Sequence, residues 1–243
     1  MLEFKSFVYL DVQKTGSGFV VRALHKYCSE RLIRRKRHWG VDRDYDPGKF
    51  YFISVRNPLD QYISLYSFAC QNSGGTGRRI GRLTSPEMFD GTWNGFRSWL
   101  SFVLDPENAD TLSGNKPHKL YDRVSPIIGF QSYRVLALSI PDAGRALADV
   151  KTKEELRALY NAQNIVQHAI RNETLRADLE ELFSTRLRNS ISDLDGALNY
   201  VRTGEPRNAS DRVDRKTDNP TIDKQQMQLL QDREWLLHEA YGY

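Results

Sequence analysis

The sequence predicts an α/β fold, a central parallel β-sheet flanked by helices. Two short apolar runs, Phe7-Val8-Tyr9-Leu10 and Phe50-Tyr51-Phe52-Ile53-Ser54-Val55, are rich in β-branched and aromatic residues. Runs of that length and composition read as buried strands. Each is followed at once by a turn, and each turn by apolar residues at helical spacing. Strand, turn, helix is the layout of a phosphate-binding α/β unit, and here it occurs twice.

After the first run, Val20, Ala23, Leu24 and Tyr27 fall at i, i+3, i+4 and i+7 and predict a helix from Ser17 to about Arg31. Residues 31–49 are polar and irregular. The second run ends in Arg56-Asn57-Pro58-Leu59-Asp60. Asn57 suits an N-cap, Pro58 the first helical position and Asp60 the capping-box acid. Leu59, Tyr62, Ile63 and Tyr66 then mark one apolar face, with Ser64 off it. The Gly- and Arg-rich stretch 71–82 has no periodicity and predicts a loop. Residues 89–103 predict an amphipathic helix carrying Trp93, Phe96 and Trp99. Residues 105–117 predict another loop. The run 133–138 fits a strand or a buried helical turn equally well. Residues 151–160 and 172–187 are helical by pattern, 202–219 predict a loop, and Pro220-Thr221 opens a last helix.

The chain of 243 residues is long enough for one full α/β domain and short for two, so a single domain over 1–243 is expected, with 70–125 as a substrate-side insertion or lid. A net charge of +4 suits an anionic ligand without pointing to nucleic acid. Two cysteines, Cys28 and Cys70, are too few for a disulfide framework and form no CxxC pattern. No leader and no apolar stretch of membrane-spanning length is visible, so the expected compartment is the cytoplasm.

The chemistry concentrates at the two turns. Gln13-Lys14-Thr15-Gly16-Ser17-Gly18 joins the first strand to its helix. A helix N-terminus offers unpaired N–H groups and partial positive charge, glycines let a ligand approach the backbone, and a lysine adds a full charge. That combination binds phosphate. It is not a Walker A sequence, which places its lysine after the second glycine. Here Lys14 precedes both Gly16 and Gly18. At the second turn, Arg56 ends the strand and Ser64 sits two turns into the helix. An arginine fork with a hydroxyl grips a second, separate phosphate.

Val12-Gln13-Lys14-Thr15-Gly16-Ser17-Gly18-Phe19 resembles the 5′-phosphosulfate loop of sulfotransferases that use 3′-phosphoadenosine 5′-phosphosulfate (PAPS). The carbohydrate-acting members read close to PKTGGTS there; Gln13 replaces Pro, and Ser17-Gly18 replaces Gly-Thr. The segment from Val55 to Tyr66 is similar to the family's 3′-phosphate signature, close to VRNPxxRxxSxY, with Gln61 in place of the second Arg. Arg171-Asn172-Glu173-Thr174-Leu175, Leu182-Phe183 and the ending Tyr241-Gly242-Tyr243 resemble its downstream pattern.

The resemblance implies a P-loop-like sulfotransferase fold, with PAPS as co-substrate, no metal requirement and an acceptor hydroxyl, in the branch's style that of a carbohydrate or glycolipid. It implies that Lys14 holds the bridging oxygen between phosphate and sulfate. It also implies that Thr15, Gly16, Ser17, Gly18 and Phe19 supply backbone N–H groups, with the Thr15 and Ser17 hydroxyls helping. Arg56 and Ser64 bind the 3′-phosphate. A histidine shortly before the second strand often serves such enzymes as general base, and His38 stands there. Histidine has the right pKa range for that task. The plain alternative is that His38 ends a solvated basic loop, Arg34-Arg35-Lys36-Arg37.

Further candidates are His118 as a second base, Glu173 as a catalytic or buried structural acid, and Phe130 and the loop from Arg207 to Lys216 near the adenine. Arg215-Lys216 are placed to close over the 3′-phosphate. His25 falls on the first helix as a structural residue. Trp93, Phe96 and Trp99 suit either a sugar-stacking platform or a core. The competing readings are a P-loop-type small-molecule kinase and a non-catalytic nucleotide- or polyanion-binding module. The kinase needs Mg²⁺ and a strand-end Asp to hold it, and no clear strand-end Asp stands out in the sequence.

Overall fold

The computed structural model describes residues 1–42, 44–71, 75–82, 84–113, 120–205 and 222–243. The strands are β1 (Leu2–Glu3), β2 (Phe7–Leu10), β3 (Arg34–Arg35), β4 (Phe50–Val55) and β5 (His168–Arg171). The helices of the N-terminal half are α1 (Ser17–Tyr27), α2 (Pro58–Cys70), α3 (Gly75–Gly81), α4 (Trp93–Leu104), α5 (Ala109–Ser113) and α6 (Tyr121–Val124). Those that follow are α7 (Phe130–Ser139), α8 (Ala143–Ala146), α9 (Lys153–Gln163), α10 (Leu175–Ser184), α11 (Leu194–Thr203), α12 (Lys224–Arg233) and α13 (Trp235–Tyr241). By its contacts the chain divides into two compact units. The first comprises Met1–Arg56, Leu138–Asp142 and Asn164–Asn208; the second comprises Asn57–Ala137, Ala143–Gln163 and Ala209–Tyr243. Residues 70–125 lie in the second.

The first unit holds the sheet, in the order β3-β1-β2-β4-β5. It is an α/β arrangement as expected, but the sheet is mixed rather than wholly parallel. Its centre is parallel: Leu10 pairs with Ile53 and Val55 with Arg171. β1 runs antiparallel to both β2 and β3. A tight turn at Lys5-Ser6, closed by the Phe4 N–H on the Phe7 carbonyl at 2.9 Å, reverses the chain between β1 and β2. Helices α1, α10 and α11 contribute Val20, Leu24, Leu179, Phe183, Ala197 and Val201 to one cluster with Tyr9, Phe52 and Ile170. Burying each large apolar side chain of this kind stabilises the fold by roughly 1.5–3 kcal/mol.

The second unit is helical. Asn57 caps α2 as its sequence predicts, its side chain accepting from the N–H groups of Leu59 at 3.0 Å and Asp60 at 3.3 Å. The ambiguous run 133–138 is helix, within α7. The stretch 71–82, expected as a loop, contains α3. Tertiary contacts explain it. A Cβ at Gly77 would lie 2.8 Å from that of Ala69, so glycine lets α3 lie against α2. Arg79 donates to the carbonyls of Thr111 at 2.8 Å and Leu112 at 3.0 Å. On α4, Phe96 and Trp99 are fully buried and Trp93 nearly so, which makes this aromatic row a core and not a platform. Among the described residues, no helix is long and apolar enough to cross a membrane.

Candidate functional site

β2 and β4 are parallel neighbours, so both end at the same edge of the sheet. Lys14 follows β2 after a short loop, and Arg56 follows β4 directly. Arg56 Nη1 donates to the Lys14 main-chain carbonyl at 3.3 Å, so the guanidinium reaches the Lys14 loop. β5 ends at this edge too. There the Asn172 N–H donates to the Val55 carbonyl at 2.8 Å.

The loop between β2 and α1 is sharply bent. Lys14 has φ 65° and Gly16 has φ 80°, both in the left-handed region. Gly16 is the N-cap of α1, and among the described residues no side chain caps that end. A Cβ on Gly16 would sit 2.7 Å from Asn172 Nδ2 and 2.9 Å from Leu175 Cδ2. Gly18 differs: a Cβ there would meet nothing within 4 Å. Gly16 is therefore needed by the fold, whereas Gly18 leaves open space over the first turn. The N–H groups of Ser17 and Gly18 stand in that turn, where an α-helix provides no acceptor for them.

Two predicted contributors have other employment. The Thr15 side chain is fully buried. Its hydroxyl donates to the Val12 carbonyl at 2.9 Å, so its oxygen must accept from Ser54 Oγ, 2.6 Å away. Ser54 in turn accepts from the Tyr9 hydroxyl at 2.6 Å. Burial pushes the Tyr9 pKa up, which keeps it the donor that starts this chain. The Thr15 hydroxyl thus pins the loop to β4 instead of reaching outward. The Phe19 N–H donates to the Gly16 carbonyl at 2.9 Å, and its ring stacks on Tyr200 with centroids 5.4 Å apart.

His38 folds back toward the loop, while its neighbours Arg35, Lys36 and Arg37 are exposed. Its backbone N–H donates to Asp11 Oδ1 at 2.9 Å. Its ring Nδ1 lies 2.8 Å from the Asp11 carbonyl oxygen and 3.3 Å from Asp11 Oδ2. Both of those oxygens are acceptors, so Nδ1 carries the hydrogen. In the neutral ring the basic lone pair is then on Nε2. Asp11, which sequence reasoning passed over, immediately follows β2. It is the strand-end Asp that did not stand out, but it is only 2 % exposed and its carboxylate is engaged by His38. The signal that points to it is an acid placed directly between a strand and a phosphate-type loop.

The remaining candidates scatter. Ser64 belongs to the second unit, half-buried on α2 and off its packed face. Glu173 is exposed, which removes the buried-acid reading. His25 is exposed on α1. Phe130 is fully buried at the start of α7, with the Arg134 guanidinium 4.1 Å over its ring. Arg34 is held in ion pairs with Glu3 at 2.9 Å and Asp44 at 2.7 Å, a structural role at the sheet edge. His118, Arg207, Arg215 and Lys216 lie outside the described residues. No protein-family model, curated protein or solved structure matches the chain.

Proposed function

We propose that this chain is a PAPS-dependent O-sulfotransferase, moving a sulfuryl group in line to an acceptor hydroxyl of a carbohydrate or glycolipid. The observation that carries the reading is the contact between Arg56 and the Lys14 loop at the C-terminal edge of β2 and β4. Two basic groups at one sheet edge, beside a glycine-lined helix start, suit a ligand with two separated phosphate-type groups. PAPS has that form, with a 5′-phosphosulfate and a 3′-phosphate.

The residues present fit it. The open space at Gly18 and the first-turn N–H groups of α1 suit the phosphosulfate. Lys14 stabilises the charge that develops on the bridging oxygen as it leaves. Arg56 takes the 3′-phosphate with its planar fork. His38 acts as general base through Nε2, a contribution of about 10²–10⁴ in rate. The acceptor O–H gives its proton to Nε2 as its oxygen bonds to sulfur. The bond from sulfur to the bridging oxygen breaks, and its electron pair leaves with adenosine 3′,5′-bisphosphate. The imidazolium then returns its proton to solvent.

Calorimetry tests the donor half directly. Adenosine 3′,5′-bisphosphate should bind without Mg²⁺ and more tightly than ATP, and Lys14→Ala and Arg56→Ala should each weaken it at least tenfold. Preference for ATP with Mg²⁺ would instead favour the kinase. Once a screen of glycans with labelled PAPS yields an acceptor, His38→Ala should lower kcat with bisphosphate affinity retained. Unchanged turnover in that variant would remove the base.

A further inference from the structure

We propose that Asp11 is the positioning residue for His38, fixing the hydrogen on Nδ1 and so making Nε2 the nitrogen that receives a proton. The catalytic meaning of this rests on the sulfotransferase reading above; the geometry does not. Asp11 holds His38 at three points: the backbone N–H on Oδ1, and Nδ1 on both the carbonyl oxygen and Oδ2. The holding residue is rigid, because it is 2 % exposed and joined directly to β2.

Two further features support a dedicated arrangement. His38 has φ 55°, a left-handed backbone that a non-glycine residue keeps only where its surroundings over-determine it. The bond from its N–H to Asp11 Oδ1 supplies that constraint. Moreover, an isolated neutral histidine favours the hydrogen on Nε2, which leaves Nδ1 basic. Two acceptors at Nδ1 reverse that preference. Asp11 and Lys14 also lie on the same short stretch after β2, so one segment sets both the base and the donor grip.

The charge of Asp11 has a second effect. A carboxylate this close to an imidazole stabilises the imidazolium and raises its pKa. The cationic groups facing the pair act the other way. Among the described residues they include the Met1 nitrogen, which also donates to Asp11 Oδ1, and Arg35, whose charge acts on that nitrogen. The Met1 nitrogen itself leans on the Asp11 carboxylate and loses that support in Asp11→Asn, so Asp11→Glu, which keeps the charge, is the control.

The test is long-range ¹H–¹⁵N NMR of the histidine rings across a pH titration, in wild type and in Asp11→Asn. In wild type, the neutral His38 ring should show a protonated Nδ1 and a lone-pair Nε2. In Asp11→Asn, its pKa should fall by about one unit, while the main-chain carbonyl of residue 11 keeps the hydrogen on Nδ1. Asp11→Glu should recover the higher pKa in part. Bisphosphate affinity should be unchanged in Asp11→Asn, which separates the two readings. Wild type that fails to bind bisphosphate overturns the sulfotransferase assignment and with it the catalytic role of Asp11. A wild-type ring protonated on Nε2 overturns the positioning role whatever binds, and needs no variant to fold. An unshifted pKa in folded Asp11→Asn overturns it as well.

Discussion

At the scale of single residues, two glycines that look alike in the sequence do different work. Gly16 has φ 80° and its missing Cβ would press on Asn172 and Leu175. Gly18 stands in open space. Gly16→Ala combines left-handed strain, about 1–2 kcal/mol, with a clash against a side chain and should destabilise the first unit by about 2 kcal/mol or more. Gly18→Ala should leave the unfolding temperature no lower than in wild type, and raised where helix propensity counts, yet weaken bisphosphate binding, because the new methyl group fills the approach to the first turn. Equal unfolding of the two variants would refute this division. The places of Lys14, Gly16 and Arg56 were legible in the sequence because each stands at a fixed offset from a strand end. Asp11 was not legible. Its meaning depends on His38, which reaches it only through the return of the chain by way of β3. Thr15 was legible as a site residue, but its hydroxyl direction was not, since Ser54 and Tyr9 meet it only across paired strands.

At the scale of elements, the strands and helices with strong periodicity were read correctly: β2, β4, α1, α2 and α4. β1 and β3 have two residues each, too few for any period to show. β5, His168-Ala169-Ile170-Arg171, carries polar ends and gains its strand identity only from pairing with β4. Packing likewise decides α3, where Gly77 and Arg79 override low helical propensity. Glu30 shows how the short elements are tied in. Following α1, it accepts from the Ser6 N–H at 2.8 Å, the Ser6 hydroxyl, and the Ser190 hydroxyl at 2.6 Å. It thereby joins the β1–β2 turn to the segment before α11. Burial pushes its pKa up, but hydrogen bonds from Ser190, Ser6 and the Lys5 N–H outweigh that and lower it. A carboxylate with a lowered folded pKa stabilises the fold above its unfolded value and loses that contribution as pH falls through the folded one. Glu30→Gln should therefore cost about 1–2 kcal/mol at neutral pH by urea denaturation. The difference from wild type should shrink once pH falls below 4.5, the ordinary glutamate value. A pH-independent difference would mean that shape, not charge, makes the clasp.

At the scale of the whole molecule, both units bury apolar side chains, and the second adds a feature that the first lacks among the described residues, buried guanidinium groups. The first has an apolar sheet core, of the kind that hydrophobic runs announce. The second encloses a polar network that no periodicity announces. Glu234 is fully buried between α12 and α13. It accepts from the Tyr62 hydroxyl at 2.5 Å, the Gln131 N–H at 3.2 Å and the Ser132 N–H at 2.6 Å, so it caps the first turn of α7 from a distant part of the chain. Arg134 and Arg233 are buried with it. Burial pushes the Arg134 pKa down to about 10, so it stays charged at neutral pH and the enclosed carboxylate is its counter-charge. Burial, and then the charge of Glu234, push the Tyr62 pKa well up, which fixes the tyrosine as a donor. Every neighbour of Glu234 named here donates or is cationic, so only an anionic acceptor suits the position. Glu234→Gln would turn an amide N–H₂ toward donors and leave the buried Arg134 guanidinium without that counter-charge. Leaving a buried donor of this kind without its acceptor costs about 1–3 kcal/mol. The surface pair of Arg157 with Glu239, two bonds of 2.8 Å in open solvent, is the internal control. Exposed pairs contribute little, so Glu239→Gln should leave the urea midpoint nearly unmoved. If the two variants shifted that midpoint equally, the buried carboxylate would not be what holds the second unit together.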